Sequence, residues 1–346
     1  MDIPAAAAAP ENLGQILFVT GASRSGTTVL SRIFGNHEDI LGLHELHYFG
    51  DLVEIDSSDE QRNNAQLVQK IAWLLARQAR DFWTDGPDAN DVQTANALVA
   101  SLPSTQKNAA AAYAYALAYL ARTAGKRAAC EQTPRNIFYA EKLLALYPDA
   151  RMVHIVRDPR AVLASQKNRW QVRKLGGRNV PWTEVIRLWI NYHPWTMSRL
   201  WLRASQAAVA LEDHPRFRIV RFEDLVDDPE SLLRDLCDWL GIDFQPDMLA
   251  VPQWGSSNIE HNSSQQGVSR AMLTQWEQVL NRAEIAVSER QTKAYLERFA
   301  YTPLDISGSL TLGTIAIWLK YPLHVLGALL SNPRRALIQL RALSRR

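Results

Sequence analysis

Three short stretches of this 346-residue chain hold residue types and spacings that can do chemistry. The first, Ile16 to Leu30, reads ILFVTGASRSGTTVL: an apolar run, a glycine-containing turn and a helix start. In such a turn the backbone N–H groups point at one spot, and the helix dipole adds to their pull on an anion. Gly21 and Gly26 permit the tight path, Thr27 and Thr28 supply hydroxyl donors, and Arg24 supplies a guanidinium. The glycine spacing is that of the phosphate-binding pattern GxxxxGK[ST], but Thr27 stands where the lysine belongs. Nucleotide-hydrolysing enzymes use that lysine on the β- and γ-phosphates, so its loss counts against ATPase, GTPase and kinase readings.

The second stretch, Met152 to Gln166, reads MVHIVRDPRAVLASQ. Arg157 leaves the carboxyl end of an apolar strand, where α/β folds place their ligands. Ser165 follows eight residues later, about two turns into the next helix. A guanidinium fork and a hydroxyl can then converge on one phosphate. The surroundings are basic: Arg151 to Arg178 holds eight basic residues and one acid, Asp158. The third stretch, Gly42 to Phe49, reads GLHELHYF and gathers His44, Glu45 and His47, groups able to take a proton from a hydroxyl. The HExxH spacing of a zinc site is absent.

Positioning these stretches requires a sheet whose strands end side by side. Strands are expected at Ile16–Thr20, Ile40–Leu43, Arg127–Glu131, Met152–Val156 and Phe217–Val220. Helices are expected at Thr27–Asn36, Asn136–Leu146, from Pro159 with Asp158 as its cap, Trp182–Glu212, and Pro229–Leu240 with Gly241 beyond its end. Alternating strands and helices predict an α/β fold, a P-loop-type parallel sheet flanked by helices. A helical insertion at 61–122 and a helical C-terminal tail complete it. Trp182, Trp189, Trp195 and Trp201, spaced seven, six and six, read as helical core packing.

Composition sets the class. Apolar residues make up 47% and charged residues 21%, an ordinary globular balance that excludes disordered and fibrous classes. A formal charge of +2 is too small for a bulk polyanion binder, so no nucleic-acid partner is expected. Two cysteines, Cys130 and Cys237, exclude a disulfide framework and fit a reducing, cytoplasmic setting. Met1 to Pro10 is alanine-rich without a basic start and does not read as a secretory signal.

Together, SRSGTT (Ser23–Thr28) and VRDPRAVLAS (Val156–Ser165) resemble the two signature regions of sulfotransferases that use 3′-phosphoadenosine 5′-phosphosulfate (PAPS). The form with Arg24 in the loop and Glu45 at its distance is similar to tyrosylprotein sulfotransferases and their bacterial relatives. The resemblance runs over most of Ile16 to Leu240, through EQTPRN (Glu131–Asn136) and RFEDL (Arg221–Leu225). It implies in-line transfer of a sulfuryl group from PAPS to an acceptor hydroxyl. Ser23, Arg24, Ser25, Gly26, Thr27 and Thr28 would hold the 5′-phosphosulfate, and Arg157 and Ser165 the 3′-phosphate. Arg270, with Ser263 and Ser264, would come from a late segment folded over the nucleotide. Glu45 takes the place of the catalytic base, with His44 next and Arg24 stabilising the leaving phosphate. Magnesium is not implied, because a sulfuryl group carries less charge than a γ-phosphoryl. Relatives commonly carry a lysine where this chain has Gln132.

The sulfotransferase domain is expected over 11–303, and 304–346 as a basic, apolar helical tail. After Asp305 there is no acid, while Lys320, Arg334, Arg335, Arg341, Arg345 and Arg346 are basic. Such a tail packs on the core, on a second copy in a homodimer, or on an anionic membrane surface. The acceptor stays open among carbohydrate, lipid, tyrosine and small-molecule alcohols. A lysine-less P-loop kinase or NTPase, and a nucleotide-binding relative without catalysis, are the competing readings.

Overall fold

A computed structural model describes residues 16–82, 84–173, 180–251, 269–304 and 312–331. Five strands form one all-parallel sheet: β1 (Ile16–Gly21), β2 (Ile40–Gly42), β3 (Ala128–Glu131), β4 (Arg151–Val156) and β5 (Phe217–Arg221), in the order β2-β3-β1-β4-β5. Every residue of β1 is buried, as a central parallel strand covered on both faces requires. The faces alternate along it. Phe18 joins Met152 and Phe217 in one core, while Leu17 and Val19 join Val153 and Ile155 in the other. Each such side chain contributes roughly 1.5–3 kcal/mol by leaving water.

The second core is closed by α1 (Thr27–Gly35). The first is closed by the insertion, as α2 (Asn64–Arg80), α3 (Ala89–Ser101) and α4 (Ala109–Thr123). Leu67, Ile71, Leu98, Tyr113 and Leu117 of these helices share the core with Phe18. After β3, Asn136 falls in a tight 3-10 stretch, Pro134–Tyr139, and the α-helix α5 (Ala140–Leu146) starts only beyond it. Helix α6 (Pro159–Lys167) begins as expected: Asp158 accepts from the Arg160 N–H and Pro159 holds the first helical position.

The long helix expected over Trp182–Glu212 is instead two, α7 (Trp182–Ile190) and α8 (Pro194–Val209). Pro194 has no N–H to donate to the preceding turn, so it opens a helix rather than continuing one. The tryptophans also correct the expectation of core packing. Trp201 is buried, but Trp182 and Trp189 are exposed. Beyond β5 come α9 (Phe222–Asp227), α10 (Pro229–Leu240), α11 (Ala271–Thr274), α12 (Trp276–Val279), α13 (Arg282–Arg298) and α14 (Leu312–Ser331). Gly241 ends α10 in the left-handed region. Helix α14 is long and apolar enough to cross a membrane by length and composition. Ser263, Ser264 and Arg334–Arg346 lie outside the described residues.

Candidate active site

Strand β1 delivers the chain into a turn that doubles back before α1. Arg24 (φ 80°) and Gly26 (φ 107°) both take the left-handed region, and Ser25 N–H donates to the Ala22 carbonyl at 3.0 Å. A Cβ on Gly26 would stand 2.5 Å from the Phe222 ring, so only glycine fits. No side chain caps the N-terminus of α1, which leaves its first-turn amides to an incoming anion. Thr27 is buried, Thr28 is half-buried and Ser23 is exposed. Ser25 is buried, and its Oγ has no hydrogen-bond partner among the described residues.

Strand β4, paired directly with β1, brings the second stretch against this turn. Arg24 Nε donates to Ser165 Oγ at 3.0 Å. Arg157 donates to the Arg24 carbonyl at 3.3 Å and to the Met272 carbonyl at 2.6 Å. Its guanidinium lies 4.4 Å above the Phe222 ring centroid. Arg157 is buried, and among the described residues it has no carboxylate within ion-pair distance and no partner for Nε. Burial lowers the pKa of both guanidiniums, and the neighbouring Arg157 charge lowers that of Arg24 further. A site holding two such cations, with the Ser25 Oγ and Arg157 Nε left without partners among the described residues, is built for an anion. The Arg270 side chain is exposed and paired with Asp227 at 3.0 Å.

Glu45 follows β2 across the loop. Its Oε2 accepts from His47 Nε2 at 2.9 Å. Arg135 Nε donates to His47 Nδ1 at 3.2 Å, which leaves the ring proton on Nε2, facing Glu45. Arg135 is itself paired with Asp51. Burial, with the Arg135 charge, keeps His47 below the usual histidine range despite Glu45. Burial pushes the Glu45 carboxyl up, but the His47 hydrogen bond and the charges of His47, Arg169 and Arg24 outweigh it, so its pKa falls. The backbone here is fastened from below. His47 N–H donates to Thr133 Oγ1 at 3.0 Å, and Arg77 holds the carbonyls of Leu46 and His47 at 2.6 and 3.1 Å. His44 is exposed and binds Gln78 through its N–H at 2.9 Å.

A cavity of about 1040 Å³ opens here. Gly21, Ala22, Ser23 and Thr28 line it at one side, together with His44, Glu45, His47 and Gln132. Gln132 is buried, and its Oε1 has no partner among the described residues. Arg24, Arg157 and Ser165 adjoin the cavity without lining it. Arg169 and Arg187 also line the cavity and were not singled out from sequence. Burial, and then the Arg24 charge, push Arg169 down to about 10, while Glu45 opposes the shift. Arg169 therefore lies within electrostatic reach of both groups. It sits in the basic run Arg151–Arg178, which was the available signal, but no spacing separated it from its neighbours.

Residues 16–247 match the sulfotransferase family. The chain belongs to that family. Among its relatives are the nodulation protein NoeE of Sinorhizobium fredii, 26% identical over 80% of this chain and 62% of NoeE, and mouse carbohydrate sulfotransferase 5, 34% identical over 35% of this chain and 33% of that protein. A third is the omega-hydroxy-beta-dihydromenaquinone-9 sulfotransferase of Mycobacterium tuberculosis, 28% identical over 44% of this chain and 39% of that protein. The alignments thus span less than two thirds of each relative's length. The fold is similar to that of the sulfotransferase domain from the curacin biosynthetic pathway, with a TM-score of 0.52 at 18% identity over 84% of this chain and 99% of that one. The sulfotransferase domain of a Synechococcus olefin synthase gives 0.51 at 21% identity, over 85% and 98%.

Proposed function

We propose that this sulfotransferase-family chain moves the sulfuryl group of PAPS to an acceptor hydroxyl. The observation that carries the reading is the direct contact of the two anion-binding stretches, Arg24 Nε on Ser165 Oγ at 3.0 Å, with Glu45 across the loop. A ligand with a 5′-phosphosulfate and a 3′-phosphate needs two adjacent anion sites. The orphaned Ser25 Oγ and the buried Arg157, without a carboxylate partner among the described residues, suit such a ligand.

When bound, PAPS supplies an activated sulfuryl group on a phosphate leaving group. The residues of the chain then divide the work. The loop amides, Ser25, Thr27 and Thr28 hold the 5′ end, and Arg157 and Ser165 hold the 3′-phosphate. Glu45 takes the acceptor proton as the new S–O bond forms and the bond to the 5′-phosphate breaks. His47 orients Glu45 and keeps it ionised. Arg24 and Arg169 face the charge that develops on the leaving phosphate, the position where preorganised donors lower a barrier most. Gln132 offers a hydrogen bond where relatives place a lysine.

The acceptor is best read as a hydroxyl on a largely apolar molecule. Leu188, Tyr192, Met197, Leu200, Trp201 and Ala204 give the cavity an apolar wall. The relatives' names include both carbohydrate and dihydromenaquinone acceptors; this wall favours the second kind. The decisive experiment is thermal-shift measurement with 3′-phosphoadenosine 5′-phosphate, ATP and GTP. The bisphosphate should raise the melting temperature most, and Arg157→Ala should remove that rise. A larger shift with magnesium and ATP would overturn the reading in favour of a kinase or NTPase.

A further inference from the structure

Helix α7 buries Val185 and Leu188 but also turns a second apolar face outward. Its apolar residues Trp182, Ile186 and Trp189, spaced as i, i+4 and i+7, are 66%, 56% and 65% exposed. Its charged residues Glu184 and Arg187 pair with each other, and Arg187 is buried. Helix α14 continues the same surface. Leu312, Leu319, Leu323, Leu326 and Leu330 are exposed, and Lys320 is its one lysine, with no arginine or acid. The two helices are fixed to each other. His324 Nδ1 lies 2.8 Å from the Ile190 carbonyl, and a Cβ on Gly327 would stand 2.7 Å from Ile190 Cγ2. Trp318 and Tyr321 also pack against Trp195.

We propose that this α7–α14 face seats the protein on an anionic lipid bilayer. A contiguous apolar surface rich in tryptophan is uncommon on a soluble monomer, and tryptophan favours the headgroup boundary. Helix α14 packs along α7 and α13 on one side, so it lies against the body of the protein instead of standing free as a spanning helix. The sequence after Ser331 carries Arg334, Arg335, Arg341, Arg345 and Arg346 and no acid, which matches anionic headgroups. The inner side of α7 lines the cavity through Arg187 and Leu188, and α14 lines it through Ala328. Seating this face on lipid therefore puts a wall of the cavity at the bilayer surface.

The test is sedimentation of the full chain with vesicles of phosphatidylcholine, with and without about one third phosphatidylglycerol. The chain should sediment with the anionic vesicles and less with the neutral ones. The variant Trp182→Ser/Trp189→Ser should weaken binding at least about tenfold, while its thermal shift with 3′-phosphoadenosine 5′-phosphate stays unchanged. A chain that remains in solution with both vesicle types overturns the proposal. So does a stable dimer in ultracentrifugation that the double variant splits. The nucleotide reading is separable: loss of the bisphosphate shift with vesicle binding intact counts against the transfer activity alone.

Discussion

Glu45 is ionised because of its neighbours, not its solvation. Burial alone would raise its pKa, and the His47 Nε2 donor with the Arg169 and Arg24 charges outweighs that. A base of this kind is active when deprotonated, so the acid limb of kcat/KM should lie below the ordinary glutamate range. His47→Ala removes the largest opposing contribution and should move that limb upward, which a purely structural loss would not do. Glu45→Gln should lower kcat by roughly 10²–10⁴ and leave bisphosphate binding unchanged, checked by single-turnover transfer of labelled sulfate. Arg169→Ala should lower kcat by about 10² with little change in the nucleotide thermal shift. The turn of the loop was legible in sequence from its glycine spacing, and Glu45 was singled out through the family resemblance. Arg169 was not, since its role depends on where the α6 exit brings it relative to Glu45. Arg270 was suggested by its position in a late segment, and its side chain pairs with Asp227 at the surface.

At the scale of elements, the readings that succeeded rest on backbone rules. The β1–turn–α1 unit, the Asp158–Pro159 start of α6 and the Gly241 stop of α10 each follow from one residue's dihedral or capping preference. The split of α7 from α8 was equally written at Pro194 and was masked by the regular tryptophan spacing. That spacing defines a helix face without saying whether the face meets core or solvent, which is why Trp182 and Trp201 share a pattern and not an environment. The turn itself makes a sharp prediction. Gly26→Ala meets both a positive φ and the Phe222 ring, so it should cost about 1–3 kcal/mol. It should also abolish the bisphosphate shift, measured by denaturant melts with and without ligand.

For the whole molecule, pH enters through a buried carboxyl beneath the site. Glu131 accepts from Thr133 N–H and Oγ1, Leu46 N–H and Asn136 Nδ2, yet burial still raises its pKa to about 7. Between the unfolded carboxylate value and about 7 the native state holds a proton that the unfolded chain has released. Its contribution to stability therefore falls as pH rises through that window and levels off above it. The melting temperature of the parent chain minus that of Glu131→Gln should shrink across the same range, and a difference independent of pH would refute the assignment.

The strand order has a consequence for how the polypeptide is made. β1 emerges from the ribosome first, but its two neighbours in the sheet, β3 and β4, begin at Ala128 and Arg151. At roughly 5–20 residues per second, the anion loop's strand waits several seconds with both edges unpaired. Residues 61–122 are synthesised during that wait, and their apolar helix faces pack on the Phe18 side of the same strand. The insertion is thereby placed to act as a temporary cover during biosynthesis, burying the apolar Phe18 face of the strand until β3 and β4 can pair with its edges.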